Sequence, residues 1–394
     1  MKQVFLASAL LILSGIAVIA FGHNPYLAMA AQGMPAQGAS PQARQPEIPL
    51  LGLDPVLLIQ GKEVPGNLNI STLRGPYKYL FANAENKARF EQSPEQYEIQ
   101  LNGACPREGQ PNRIREAEIF FVHKNRLYIF HSLECQKAFA AAPESFFETA
   151  AAAPKINSSP EALKKGALLI EKAVAAMGGA AVIDGLTSYQ EVGLTTEMMP
   201  GPDGRKAREV KNSTTIVFPD QIRKEQTVSF GSQTFVIAPK DAFALSQNRV
   251  LSIIPTTRAE REKEVKLKLL SILRARNQAG FKASAAEPKK LGDATLEQVI
   301  VEHGGLTLTL GIEPTSGRIL RLAYRGRGPN FDFGEIAQVF SDFRAIEGVL
   351  LPFKISGTFN GQPEATLSWV FESIKINEKI DPALFERPKP PIKQ

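Results

Sequence analysis

The chain has 394 residues, of which 43% are hydrophobic and 22% charged, and a formal net charge of +6. That length exceeds the roughly 100 to 200 residues of an ordinary domain, so two folded units are expected, and this much apolar material excludes disorder throughout. The 46 basic residues are scattered among 40 acidic ones without a basic run or an aromatic-basic motif, which excludes nucleic-acid binding and leaves room only for a mild peripheral attraction to anionic membrane surfaces.

In chain order, Lys2 precedes an apolar run from Val4 to Phe21, and Ala28-Met29-Ala30 follows with the small-x-small pattern of a signal-peptidase site. Residues 1–30 are expected to be a signal peptide, so that the mature chain starts near Ala31. The alternative is a retained anchor, since the run is just long enough to span a bilayer. Export places the protein in the periplasm, with secretion or N-terminal anchoring as the other outcomes. Residues 31–48 are rich in Ala, Gln, Gly and Pro and read as a flexible linker.

Residues 49–148 contain an internal repeat at an offset of 49. Tyr79, Phe81, Glu85, Phe90, Pro94, Glu95 and Tyr97 return as Tyr128, Phe130, Glu134, Phe139, Pro143, Glu144 and Phe146. In each copy, two aromatics at i and i+2 share one face of a strand, and a short helix ending before a proline follows. Two such β-α units must share one core, because neither buries enough alone.

Residues 149–159 carry a shift to Ala, Pro, Asn and Ser and read as a second linker. From 160 to 388 a larger domain is expected. Ser159 caps a helix with Pro160 in its first turn and an apolar stripe of Leu163, Ala167, Ile170, Val174 and Met177, and Gly178-Gly179 ends it. Thereafter the period is that of strands. Leu306, Leu308, Leu310 and Ile312 face one way and Thr307 and Thr309 the other, and tight turns are expected at Gly304-Gly305, Pro314 to Gly317, Glu347-Gly348 and Asn360-Gly361. One helix interrupts this antiparallel meander, from about Thr257 to Ala275, charged at first and then apolar through Val265, Leu267, Leu269, Leu270, Ile272 and Leu273. Such a helix covers the concave face of a sheet. Residues 389–394 are a solvated tail.

Two resemblances rest on these residues. Tyr128-x-Phe130-His131-Ser132-x-x-Cys135, with Phe139, Pro143 and Phe146, resembles the YHS domain, and Asp54-Pro55-Val56, Gly75, Tyr79-x-Phe81 and Asn102-Gly103-Ala104-Cys105 resemble its secreted branch. Phe218-Pro219-Asp220-x-Ile222-Arg223, Asp342-Phe343-Arg344, Gly348 to Lys354, Asn377 and Asp381-Pro382-x-Leu384-Phe385 resemble the LolA/LolB-like lipoprotein-sorting superfamily. Together they imply an α+β chain: a small duplicated β-α module followed by an antiparallel half-barrel with covering helices. The second resemblance implies an apolar cavity for a lipid or a lipoprotein acyl chain, and Leu267, Leu270, Leu273, Leu306, Leu308 and Leu310 are its candidate lining.

No catalytic residues are expected. G-x-S-x-G, G-x-x-x-x-G-K-S/T and H-E-x-x-H are all absent, Glu260 and Glu264 read as a solvated helix face, and His303 reads as an exposed turn residue. Cys105 and Cys135 are the only cysteines, and in an oxidising envelope they read as a disulfide. A bridge closing about 30 residues is worth roughly 3 to 4 kcal/mol. The YHS resemblance leaves another possibility open, a zinc or copper site using Cys105, His131 and Cys135 with His123 as a further candidate, although the first repeat has Ala82 and Asn86 at the matching places. Three functions follow: an envelope protein that binds an apolar ligand, a metal-handling protein, and an interaction protein whose cavity is filled by its own side chains. The protein partner is not legible.

Overall fold

The computed structural model describes residues 46–107, 116–147, 153–201, 204–228, 231–246, 249–253 and 255–388. The expected signal peptide, most of the first linker, residues 149–152 of the second and the tail lie outside them. Among the described residues no helix is long and apolar enough to cross a membrane.

The small module is built from two similar halves. The first holds helix α1 (Pro55–Leu58), strands β1 (Asn67–Arg74) and β2 (Tyr77–Phe81), and helices α2 (Ala84–Gln92) and α3 (Pro94–Tyr97). The second holds β3 (Phe120–His123), β4 (Arg126–Ile129), α4 (Leu133–Ala141) and a 3-10 turn, Pro143–Phe146. The offset of 49 maps α2 onto α4 and α3 onto that turn, residue for residue. Each half pairs its two strands antiparallel and caps its helix with the residue before it, Asn83 accepting from the Asn86 amide and Ser132 from the Cys135 amide. The repeated aromatics do the packing: Tyr79 and Phe81 meet Phe90 in one half, and Tyr128 and Phe130 meet Phe139 in the other.

The larger domain opens on α5 (Pro160–Ala176), where the Ser159 hydroxyl accepts the Ala162 amide as expected. Its buried stripe is wider than the expected one: Ile170, Val174 and Met177 are buried as expected, Leu163 is half-buried and Ala167 exposed, and Gly166, Leu169 and Ala173 also face inward. The cause is the close approach of α5 to the sheet: a Cβ at Gly166 would lie 2.5 Å from the Ala283 carbonyl oxygen, so only glycine fits there.

After the short α6 (Ala180–Asp184) come six strands: β5 (Ser188–Gly201), β6 (Gly204–Val217), β7 (Gln221–Val228), β8 (Gly231–Ile237), β9 (Ala242–Ser246) and β10 (Arg249–Ser252). The expected single helix is two, α7 (Pro255–Lys266) and α8 (Leu269–Arg274), because Lys268 has extended backbone (φ −69°, ψ 136°) and breaks it. Eight strands then follow: β11 (Lys282–Leu291), β12 (Ala294–His303), β13 (Leu306–Ile312), β14 (Ile319–Arg327), β15 (Phe333–Ile346), β16 (Val349–Phe359), β17 (Gln362–Pro363) and β18 (Trp369–Ile376).

All pairings in this sheet are antiparallel, in the order β10-β9-β8-β7-β6-β5-β18-β16-β15-β14-β13-β12-β11, with β17 beside β16. The last strand thus joins two meanders by lying between β5 and β16. Ile216, Ile222 and Ile237 of one wing share a core with Val299, Leu310 and Leu322 of the other, together with Ile170 and Val174 of α5 and Leu270 and Leu273 of α8. Strands so far apart in one sheet meet on one cluster only if the sheet curves around the helices.

The small module touches the larger domain at the β14–β15 turn. One Arg327 guanidinium nitrogen, Nη1, donates to the carbonyls of Pro106 (2.9 Å), Arg107 (3.0 Å) and Phe331 (2.9 Å), and the Arg107 guanidinium lies 5.7 Å from the Phe331 ring centre. Replacing Arg327 by Ala leaves two carbonyls at the junction without their donor. The expected outcome is partial undocking, seen as an increased radius of gyration by small-angle scattering with unchanged far-ultraviolet dichroism.

Candidate functional site on the concave face

Strand register arranges the concave face in three rows. Ile376, Tyr189, Ile216, Ile222 and Ile237 stand side by side across β18, β5, β6, β7 and β8 and form an apolar row. Two residues along each strand, Ile374, Glu191, Thr214, Lys224 and Phe235 form a row carrying charge. A further two along, allowing for the bulge in β18, the row is Phe371, Gly193, Asn212, Gln226 and Gln233, largely amide. Polarity therefore rises from the core outward along one face, because alternate residues share a face.

Helices α8 and α7 cover this gradient in sequence. The α8 leucines lie in the apolar core, and α7 lays its charges over the middle row. The Lys224 Nζ donates to Glu264 Oε2 at 2.9 Å, and Arg261 also donates to Glu264 while its guanidinium sits 4.6 Å from the centre of the Phe235 ring. Lys268, the residue that breaks the helix, donates to Glu191 Oε1 at 2.5 Å, and Tyr189 donates to the other Glu191 oxygen at 2.7 Å. Lys224 also faces Trp369 at 5.9 Å.

Burial by itself would push the Glu264 carboxyl up, but Arg261 and Lys224 outweigh it and hold it down at about 2. Burial pulls Lys224 down against the opposing Glu264 charge. Two cations on one carboxylate keep Glu264 ionised at neutral pH. Burial and then the Glu191 charge push the Tyr189 phenol well above its usual range.

Beyond the belt, Asn212 is only 2% exposed, yet neither its Oδ1 nor its Nδ2 has a hydrogen-bond partner. A buried amide carries a desolvation cost of about 1 to 3 kcal/mol for each unmet group, so this side chain marks a place suited to a polar partner.

The six leucines expected to line a cavity are placed differently. Leu270, Leu273, Leu308 and Leu310 are fully buried in the packed core, Leu267 packs against it, and Leu306 is half-buried at the start of β13. None of them borders the cleft of about 420 Å³ on the opposite face of the sheet, lined by residues including Gln190, Ser213, Thr215, Arg223 and Lys375. There Arg223 is already engaged by Glu225 and the Leu384 carbonyl.

Glu264, expected on a solvated helix face, keeps a side chain that is 42% exposed and also joins the charged belt, because α7 turns it toward Lys224. The reading of His303 needs correction. His303 is half-buried near Phe281, and burial with the neighbouring Lys266 charge lowers its pKa, so it is neutral near pH 7. Among the described residues no group of three His, Cys, Asp or Glu side chains is placed to hold a metal ion, so Cys105, His131 and Cys135 do not assemble as the alternative ligand set. Cys135 instead sits with Cys105 among Phe130, Phe139 and Phe146, and His123 lies 2.7 Å from Glu144.

No protein-family model matches the chain, and no curated protein does. Solved structures do. A domain described as an outer membrane lipoprotein-sorting protein from Vibrio parahaemolyticus is 10% identical, with 57% of this chain and 97% of that one covered and a TM-score of 0.36. A LolA superfamily protein from Nitrosomonas europaea is 12% identical (56% and 98% covered, TM-score 0.38), and a DUF1329 family protein from Desulfovibrio piger is 11% identical (57% and 97% covered, TM-score 0.37).

The sequence signal for the belt was available but unread. Glu191 and Lys224 are charges at inward positions of alternating strands, and Arg261, Glu264 and Lys268 recur at helical spacing. Asn212 carried no such signal, since an asparagine on a strand is unremarkable until its burial is known.

Proposed function

We propose that the protein is an exported, non-enzymatic binding protein of the cell envelope that takes up an amphiphile, a lipid or lipoprotein acyl chain with a polar head, on the concave face of its sheet. The observation that carries this reading is the graded face itself, apolar under α8, charged under α7 and amide-bearing at Asn212. In this reading the acyl chain takes the place of the α8 leucines in the apolar row, gaining about 0.8 kcal/mol per CH₂ buried, and the head meets the amide row. The ion pairs Lys224–Glu264 and Lys268–Glu191 hold the cover shut, and opening it exposes charges that water can solvate.

The packed state of Leu273, Leu308 and Leu310 favours a second reading, in which the concave face is permanently filled by the chain's own side chains and serves as a scaffold for protein contacts. One titration separates the two. The full chain is mixed with an environment-sensitive fluorescent fatty acid, for wild type and for Glu264→Gln, which keeps the shape of the side chain but weakens the latch. The expected outcome is saturable uptake by the wild type and roughly five-fold tighter uptake by the variant. Absence of uptake by both, with both folded by circular dichroism, establishes the filled-face reading.

A further inference from the structure

The two halves of the small module are alike over more than their strands and helices. Each opens on a segment that bridges its second strand in parallel, Glu47 to Tyr77 in one half and Ile99 to Leu127 in the other. Each then turns sharply through left-handed backbone, at Leu50, Leu51 and Gly52 (φ 59°, 56° and 75°) and at Leu101 and Gly103 (φ 56° and 79°). Two residues past each glycine stands a side chain followed by proline: Asp54-Pro55 in the first half and Cys105-Pro106 in the second. On the facing helix, the residue whose amide is capped is Asn86 in the first half and Cys135 in the second. Cys105 therefore stands to Cys135 as Asp54 stands to Asn86.

In the first half that pair is in direct contact. The Asn86 Nδ2 donates to Asp54 Oδ2 at 2.7 Å, tying the opening turn to the start of α2. In the second half both cysteines are buried, at 0% and 2% exposure, within one cluster. Arg107, two residues beyond Cys105, brings its Nη1 to 3.9 Å from the Cys135 sulfur, so the Cys105 segment runs alongside the start of α4.

We propose that Cys105 and Cys135 are a dithiol–disulfide pair that takes, in the second half, the place of the Asp54–Asn86 tie in the first. The oxidant is a disulfide compound of the small-thiol class. One cysteine, deprotonated, attacks the oxidant's S–S bond, forming a mixed disulfide and releasing one thiolate. The second cysteine, deprotonated in turn, attacks the protein-bound sulfur of that mixed disulfide and releases the second thiolate. The protein loses two protons and two electrons, and the oxidant is reduced to two thiols.

The test uses the full chain, first reduced, then exposed to oxidised glutathione, denatured in N-ethylmaleimide and weighed by mass spectrometry. The expected result is a chain two hydrogens lighter than the reduced form with no maleimide, which gains two maleimides once a reductant precedes alkylation. Cys105→Ser and Cys135→Ser, checked for folding by circular dichroism, should each stop at a single glutathione adduct or a single maleimide. Two maleimides on the oxidant-treated wild type overturn the proposal. So does one zinc or copper ion per chain that co-purifies and protects both thiols.

Discussion

Replacing Asp54 by Ala should loosen the first half of the small module by about 3 to 5 kcal/mol, because a buried acceptor with four donors is lost at once. Asp54 is 0% exposed, and its two oxygens accept from the Val56 amide (2.9 Å), the Leu57 amide (3.3 Å), the Ala82 amide (2.8 Å) and Asn86 Nδ2 (2.7 Å). It thus caps α1, closes the end of β2 and holds the start of α2. Alanine leaves these donors facing the cluster of Leu50, Val56, Phe81 and Phe90 with nothing to accept them. Hydrogen exchange followed by mass spectrometry should show peptides from residues 46 to 97 exchanging two to three orders of magnitude faster. The only tryptophan, Trp369, lies in the larger domain, so its fluorescence should stay unchanged and report that domain intact. Asp54→Asn, which keeps an acceptor oxygen, should cost less. An exchange pattern equal to wild type would show that the carboxylate does not join these elements.

Replacing Leu273 by Ala is the second large effect expected, again from burial. Leu273 is 0% exposed on α8, inside the core that both wings of the sheet share. Its truncation should cost about 2 to 5 kcal/mol, from lost transfer energy and the cavity left behind. Urea unfolding followed at Trp369 should then shift its midpoint down by about 1 to 2 M, for a slope near 2 to 3 kcal/mol/M. Leu306→Ala, at a half-buried site, should shift it far less. If Leu273 merely lined open space, the two variants would behave alike. The same burial means that a charge at Leu270 or Leu273 would unfold the domain, so uptake is better probed at Glu264.

Much of the local architecture follows from the residues by themselves. Ser159 with Pro160 starts α5, Gly304-Gly305 and Asn360-Gly361 turn hairpins, and the alternation of Leu306 to Ile312 makes β13, because each depends on backbone preferences and side-chain period within a few residues. The offset of 49 is legible for the same reason: repeated aromatics at repeated spacing need the same small unit twice.

What tertiary structure alone decided are relations between distant segments. The stripe of α5 widens to bring Gly166 against Ala283, and the helix expected from 257 to 275 breaks at Lys268 so that its ammonium can reach Glu191. The final strand lies between β5 and β16, which the order of turns cannot reveal. Asn212 became notable only once register placed it between Gly193 and Gln226, and Cys105 could be matched to Asp54 only through the shared turn geometry. Sequence period tells which residues share a face, since that is local stereochemistry. Which faces meet is set by long-range burial and pairing, and from that meeting come the charged belt, the buried amide and the two cysteines of one cluster.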